Sequence, residues 1–454
     1  MDNMIGFIFD KNKCVGCHAC AVACHVENEL QTGIHWRSIY STSDVLPPKA
    51  DRFHLSLACN HCEHPACVEA CPTFAYTIDE ETQAVKFQEA YCIGCRYCTW
   101  ACPYGAPVFN EHKGTIEKCT FCIARLKEGK MPACSTNCPT GALGFGTLTD
   151  DSMSEYEVGF PVSELGPRIR FIQGRPRSEL HIVPELPDER KGGHRVLSPP
   201  FLAPKIRMNT EWTLYVFTLL VPVLTGLFAG MLSGFLLIHP LLFSGLLAGT
   251  MMISVLHLGR KTRAIYALRN LKTSWLSREI LSYGLFSVLS ILSMTLLPTN
   301  GWIGIAGLVA ALITLVIMDR VYCYFSYPIH SAGVLLTGLL WIALIMQEPL
   351  PLFFIIFIKT ILYIWRKYSN WNNLQWHQKW ISGLRITLLI IIPGMIFLWD
   401  TALVLELFFP LWIGECIDRW EFYTGQTIKS PDFELYRYHQ QAIERSTEMD
   451  PYRR

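Results

Sequence analysis

The hydrophobic pattern divides the chain in two. From about residue 211 it is a succession of apolar runs, at 212–236, 240–258, 280–297, 302–318, 330–346, 351–365, 383–399 and 402–414. A helix that crosses a bilayer needs about 20 residues, with a range of about 17–25. Several runs are short by that measure, and one or two suit re-entrant segments. The rival reading is a set of buried helices in a soluble protein. Eight consecutive runs, with a connection as short as Pro298-Thr299-Asn300-Gly301, argue against it. They predict an all-α membrane domain of about eight transmembrane helices, with both ends on one side. Residues 1–150 read differently, with short apolar stretches broken by Gly and Pro turns. Residues 151–208 are rich in Pro, Arg and Glu and sustain no period of 3.6 or 2, which predicts an extended connector. The expected organisation is thus an α+β domain over 1–150, the connector over 151–208, a multi-helix membrane domain over 209–420 and a polar tail over 421–454.

Composition sharpens this division. Of the 454 residues 51% are apolar and only 17% charged, against roughly 25% in an average soluble protein. That excludes a disordered chain. A net charge of +1 gives no sign of nucleic-acid binding. Residues 1–200 hold 19 basic and 24 acidic residues, and residues 201–454 hold 20 and 14. Of the 18 cysteines, sixteen lie between Cys14 and Cys138, leaving Cys323 and Cys416 outside, without ligand spacing and read as packing residues. Such density means either a disulfide scaffold or metal sites. The opening stretch, MDNMIGFIFDKNKC, has neither a basic n-region nor a long apolar core. Metal binding is therefore the expectation.

The cysteines fall into four quartets. Cys14, Cys17, Cys20 and Cys24 are spaced C-x2-C-x2-C-x3-C, and Cys92, Cys95, Cys98 and Cys102 repeat that spacing. Cys59, Cys62, Cys67 and Cys71 follow C-x2-C-x4-C-x3-C, and Cys119, Cys122, Cys134 and Cys138 carry a longer insertion. Pro72, Pro103 and Pro139 follow the last Cys of three quartets, with His25 in that place in the first. Three thiolates on a tight loop wrap one cuboidal [4Fe–4S] cluster, while the fourth, followed by Pro, ligates the other cluster of a pair. Zinc is the competing reading, since C-x2-C pairs also bind it, but zinc sites have no need of the third Cys or the Cys-Pro exit. By this exchange rule the second and third quartets, joined by the β-like stretch QAVKF (83–87), form one pair and the first and fourth the other. The expected ligand sets are Cys14, Cys17, Cys20, Cys138; Cys119, Cys122, Cys134, Cys24; Cys59, Cys62, Cys67, Cys102; and Cys92, Cys95, Cys98, Cys71. Tyr97, Trp100, Tyr104 and Phe109 near the third quartet read as shielding core. Arg96 reads either as a charge that raises a cluster potential or as a surface salt bridge.

With FDKNKCVGCHACAVAC, CNHCEHPACVEACP, YCIGCRYCTWACPYGAP and CPTGAL in place, residues 4–150 resemble the iron–sulfur subunit of dimethyl sulfoxide reductase and related molybdenum oxidoreductases. Nitrate reductase relatives have Trp where this chain has Cys95, so the resemblance implies four [4Fe–4S] clusters. It also implies that the second and third quartets lie toward the membrane and the first and fourth toward a molybdopterin-containing catalytic subunit. Residues 209–423 resemble the membrane anchor of the same enzymes, through TEWTLYVFT (210–218), LHLG (256–259), SREI (277–280), DRVY (319–322) and GECIDRWEFY (414–423). The two parts are usually separate chains and are fused here.

A passive anchor needs no ionisable groups at membrane depth, where they are costly. This one has His257 at the end of its second run, Arg278 and Glu279 at the start of the third, and Arg263 between. Oxidation of a quinol, menaquinol or ubiquinol, releases two electrons and two protons and needs a base with hydrogen-bond partners. The resemblance puts the quinol site at His257 and Glu279, with Arg263 holding the geometry. The bland alternatives are a helix-end histidine and a carboxylate at a helix N-terminus. His239, His257, His330 and His377 all fall at run ends or in loops, so no axial pair for haem is expected. Lys359, within run 351–365, reads as a snorkelling residue, with a proton path or lipid contact as the alternative.

Loops 259–279, 319–329 and 366–385 carry Arg260, Lys261, Arg263, Arg269, Lys272, Arg278, Arg320, Arg366, Lys367, Lys379 and Arg385, whereas the opposite loops carry no Lys or Arg. The positive-inside rule then sets the cysteine-rich domain in the cytoplasm of a bacterium, at its plasma membrane. Many members of the family face the periplasm, which is the alternative. The sequence leaves three functions open. One is an electron-transfer and anchor subunit that oxidises quinol. The second is a quinone-reducing module fed by a soluble dehydrogenase. The third is a redox-sensing assembly protein.

Overall fold

The protein was analysed as a computed structural model, which describes residues 4–41, 53–148, 153–172, 208–295, 301–322, 330–368, 376–391, 393, 406–425 and 430–448. These form two compact units, one built from residues 1–205 with 427–454 and the other from 206–426.

The first unit is an α+β assembly of short elements. Its main sheet joins β1 (Ile5–Phe9), β8 (Leu143–Thr147), β9 (Met153–Ser154) and β10 (Ile169–Ile172), in the order β8-β1-β10-β9. β1 runs antiparallel to β8 and parallel to β10. Alternation buries Phe7 and Phe9 on one side, where they meet Phe121, Phe145 and Phe171 edge-to-face. Three antiparallel hairpins complete the strands: β2 (Ser38–Ser41) with β3 (His54–Leu57), β4 (Tyr76–Ile78) with β5 (Val85–Phe87), and β6 (Val108–Asn110) with β7 (Thr115–Glu117). Between them lie α1 (Ala19–Glu27), α2 (Ala66–Ala70), α3 (Tyr97–Ala101), α4 (Ile123–Lys127) and α5 (Ala133–Thr136).

Two boundaries differ from the sequence reading. Residues 151–208, expected as a connector, supply β9 and β10 to the main sheet. Four residues of alternation in Ile169–Ile172 are too short to register as a period, and their partner β1 is remote in sequence. The tail expected over 421–454 begins inside a helix and ends in another, α14 (Pro431–Glu448). α14 starts on a capping arrangement. Ser430 Oγ accepts from Phe433 N at 3.2 Å, Pro431 takes the first helical position, and Asp432 and Glu434 fill the first turn. Its Leu435 and Tyr438 then pack into the core of the first unit beside Phe53, Leu55 and Phe160. Gly159, at φ 86°, permits this approach, because a Cβ there would lie 2.4 Å from Leu435 Cδ2.

The second unit is helical among its described residues. It comprises α6 (Met208–Leu232), α7 (Pro240–Val255), a 3-10 segment (Lys261–Leu268), α8 (Trp275–Thr295), α9 (Gly301–Val321), α10 (Val334–Ile345), α11 (Pro349–Tyr368), α12 (Trp376–Ile386) with a π-helical extension to Ile391, and α13 (Phe408–Gly425). Each apolar run overlaps one of these helices, although residues 392 and 394–405 of the last two runs lie outside the described residues. Three of these helices, α6, α9 and α11, are long and apolar enough to cross a membrane. Phe217, Val221, Leu224 and Phe228 recur along one face of α6 and pack on α7, α8 and α9. At Gly226 a Cβ would lie 2.8 Å from Trp341 Cβ, so the small residue sets the close approach of α10. The outer face is apolar too. Trp302, Ile305, Val309, Ile313 and Val316 line an exposed stripe of α9, and Phe353, Phe354, Phe357, Ile361 and Ile364 line one of α11.

Candidate metal centres

The local backbone explains why the cysteine loops close. In each quartet the second residue after the first Cys adopts a left-handed conformation: Gly16 at φ 67°, His61 at 45°, Gly94 at 70° and Phe121 at 63°. For a residue with a side chain this costs roughly 1–2 kcal/mol, so His61 and Phe121 are held there by their surroundings. Their rings stack on each other at 4.2 Å, fully buried. The turn aims backbone N–H groups at sulfur. Gly94 N donates to Cys92 Sγ at 3.3 Å, Phe121 N to Cys119 Sγ at 3.3 Å, Ala75 N to Cys71 Sγ at 3.3 Å and Leu143 N to Cys138 Sγ at 3.4 Å.

The fold gathers the sixteen thiols crosswise. Cys59, Cys62 and Cys67 line a pocket together with Cys102. Cys14, Cys17 and Cys20 line another together with Cys138. Cys98 has Cys95, Cys92 and Cys71 as neighbours, and Cys24 has Cys134, Cys122 and Cys20. Cys119 neighbours Cys24, Cys134 and Cys59. Each gathering therefore takes three thiols from one quartet and the last thiol of another. Burial pushes the Cys24 thiol up to about 12 and those of Cys67, Cys95 and Cys98 upward as well. Thiolates buried in this way need positive charge close by, which iron supplies, so the donor set fits iron–sulfur clusters.

The surroundings include groups the sequence left unremarked. Arg37 is buried among Cys134, Cys119, Cys20 and Cys24. Lys118 is buried beside Cys119, its Nζ donating to the carbonyls of Val85 and Cys119. Lys118 had a signal in its adjacency to Cys119, and Arg37 had none. Arg96 lies with its guanidinium 3.9 Å from the Phe109 ring centroid. Tyr97 and Trp100 meet edge-to-face at 6.0 Å, and Tyr104 stacks on Phe160 with its hydroxyl 2.6 Å from Ser163 Oγ.

In the helical unit, His257 follows the last turn of α7 with Nδ1 against the Ser254 carbonyl. Glu279 lies in the first turns of α8 and is buried, and its carboxyl has no hydrogen-bond or ion-pair partner among the described residues. Arg263 lies in the 3-10 segment. α8 packs against both α7 and that segment, which brings the elements carrying the three residues to one end of the unit. Lys359, expected to snorkel, is instead fully buried and pairs with Glu415 at 3.0 Å. Arg385 pairs with Glu415 at 2.8 Å and Asp418 at 3.4 Å, Arg366 with Asp418 at 2.6 Å, and Lys367 with Glu421 at 2.9 Å. Arg385, counted above as a loop charge, is thus a buried residue of α12. His330 is buried and stacks on Phe422 at 4.6 Å. Cys416 offers its carbonyl to the Tyr215 hydroxyl at 3.0 Å, and Cys323 lies outside the described residues.

Comparison with known proteins accounts for the cysteine-rich unit. Residues 50–148 match the 4Fe-4S dicluster domain family. The iron–sulfur component of the anaerobic dimethyl sulfoxide reductase of Escherichia coli (strain K12) is 40% identical over 158 residues, covering 33% of this chain and 77% of the relative. The protein belongs to the family of dimethyl sulfoxide reductase iron–sulfur subunits. Within that family relationship, a subunit of the tetrathionate reductase of Salmonella typhimurium is 37% identical over 145 residues, covering 32% of this chain and 58% of the relative. A subunit of the sulfite dehydrogenase of Allochromatium vinosum is 30% identical over 213 residues, covering 40% and 87%. The family membership makes this an iron–sulfur, electron-transfer chain.

Proposed function

We propose that the chain oxidises a membrane quinol and passes its electrons through four [4Fe–4S] clusters to a separate molybdenum-containing subunit. The observation that carries this reading is the crosswise gathering of thiols around two pockets, each taking three from one quartet and the last from another, in a chain of the dimethyl sulfoxide reductase family. The proposed ligand sets are Cys14, Cys17, Cys20, Cys138; Cys24, Cys119, Cys122, Cys134; Cys59, Cys62, Cys67, Cys102; and Cys71, Cys92, Cys95, Cys98. When bound, the clusters supply one-electron transfer. The protein's part is to hold them in series, shield them and neutralise their charge.

In this reading the helical unit is embedded in the plasma membrane, its exposed stripes on α9 and α11 facing lipid. Residues 1–205 and 427–454 belong to one compact unit, which supports an even number of crossings. Eight crossings satisfy that parity. Glu279, buried without a partner for its carboxyl among the described residues, suits the role of a group waiting for a quinol hydroxyl, and His257 suits the base. Oxidation then delivers two electrons toward Cys71, Cys92, Cys95 and Cys98 and two protons to the His257 and Glu279 end. The basic loops favour a cytoplasmic cysteine-rich unit, and discounting Arg385 leaves that bias intact. Protons are then released on the side where they are consumed. Iron and acid-labile sulfide analysis of the anaerobically purified chain, with quinol-driven reduction of the clusters, tests the reading. About sixteen irons per chain are expected, and a count near eight or equimolar zinc overturns it. Reverse flow, with quinone reduced, is favoured by one observation, the similarity to a subunit named for a sulfite dehydrogenase. Co-purification of a molybdenum subunit, assayed in both directions, separates the two.

A further inference from the structure

Arg37 is a group in the cysteine-rich unit whose placement the cluster ligation itself leaves unexplained. It sits at the start of the β2 hairpin and is 2% exposed. Its Nη1 donates to the Ser56 carbonyl and to Ser56 Oγ, both at 3.1 Å, and Ser56 Oγ lies 3.3 Å from Cys20 Sγ. Its guanidinium carbon lies 4.5 Å from the Phe7 ring centroid. Nε and Nη2 are buried with no protein partner, and no carboxylate pairs with the charge among the described residues. The groups that face it electrostatically are Cys134, Cys119, Cys20 and Cys24. Three of these belong to one thiol set and Cys20 to the neighbouring one.

A buried guanidinium without an anion is strongly disfavoured. The groups nearest in charge to the guanidinium are cysteines of two proposed ligand sets, and Nε and Nη2 remain available to them. We propose that Arg37 is a positioning residue that sets the potentials of the two clusters held by Cys24, Cys119, Cys122, Cys134 and by Cys14, Cys17, Cys20, Cys138. The inference rests on the cluster reading above. A one-electron reduction adds a negative charge to a cluster, and a fixed positive charge in a low-dielectric surrounding favours the reduced form. Its free N–H groups favour it in the same direction. The first of the two sets, with three of the four neighbours, feels it more. Reduction is thereby drawn toward the far end of the series from Cys95, the end that the resemblance assigns to the molybdenum subunit.

The test is an electrochemical titration of anaerobic membranes containing the full chain, followed by electron paramagnetic resonance, with iron and sulfide counted on the same samples. Arg37→Gln removes the charge and Arg37→Lys keeps it. In Arg37→Gln two of the four midpoints fall, one more than the other, and two stay. The larger fall corresponds to about a tenfold loss in the ratio of reduced to oxidised cluster at fixed ambient potential, ~59 mV for a one-electron couple. Arg37→Lys stays nearer to the wild type. Unchanged midpoints in Arg37→Gln with iron retained overturn the proposal, as does equal loss of iron from both variants, which marks a purely structural arginine. Wild-type membranes lacking about sixteen irons per chain instead overturn the cluster reading, so the two failures are distinct.

Discussion

Lys359 and Glu415 meet across α11 and α13 with Nζ 3.0 Å from Oε2, the lysine fully buried and the glutamate nearly so. Thr337 Oγ1 from α10 lies 2.8 Å from the same carboxylate oxygen, and Lys359 also donates to the Ser331 carbonyl at 2.6 Å. Arg385 takes the other carboxylate oxygen. Charge on α11 and α13 recurs at helical spacing, Lys359, Arg366 and Lys367 facing Glu415, Asp418 and Glu421. The pairs run from the interior to a partly exposed end, where Arg366 is 26% exposed.

Removing Lys359 takes one of two positive partners from the buried Glu415 carboxylate and leaves Arg385 as the other. Lys359→Met is expected to destabilise the helical unit by about 3–5 kcal/mol, and Lys359→Met with Glu415→Leu to recover much of it. Thermal unfolding in detergent measures both. A single variant as stable as the wild type contradicts the pairing.

Leu435 docks the C-terminal helix onto the cysteine-rich unit. Leu435→Ala is expected to cost about 2–5 kcal/mol in that unit. The loss is read as faster extraction of iron by a chelator under anaerobic conditions. In the proposed topology the same docking sets both ends of the helical unit on the side of the cysteine-rich unit. Reporter fusions at the C-terminus are expected to show fluorescence from a cytoplasmic reporter and no alkaline phosphatase activity. An active phosphatase overturns the cytoplasmic assignment.

In the proposed ligand sets Cys95 is one of four ligands to its cluster, and a different residue there would leave three. Cys95→Ser is expected to convert that cluster to a three-iron form or to lose it, lowering the iron count while the other three clusters remain. A full iron count with an unchanged spectrum would mean that Cys95 is not a ligand.

What was legible in the sequence was local. The quartets announce themselves because their cysteines recur at short spacings, with a longer insertion only in the fourth, and because a left-handed turn residue follows each first Cys by two positions. The helices of the second unit are equally visible as apolar runs, and the family resemblance of GECIDRWEFY marked α13 before its role in pairing was known. Non-local relationships were invisible. Ile169–Ile172 reads as connector until β1 is beside it, and Lys359 reads as snorkelling until Glu415 faces it. Arg37 has no motif at all. Its meaning comes entirely from the four cysteines that the fold brings around it, two of which follow it by more than eighty residues.

The most direct test of the account is reduction of the iron–sulfur clusters by quinol in a single turnover. Anaerobic membranes containing the chain are mixed with a reduced quinol analogue, and cluster reduction is followed by electron paramagnetic resonance, with dithionite defining the full signal. The wild type is expected to show cluster reduction by quinol. His257→Ala is expected to keep its iron and its dithionite signal while the quinol-driven rate falls by about 10²–10⁴, the usual contribution of a general base. Clusters that dithionite reduces but quinol leaves oxidised in the wild type would contradict the proposed function, and a normal rate in His257→Ala would move the quinol site elsewhere.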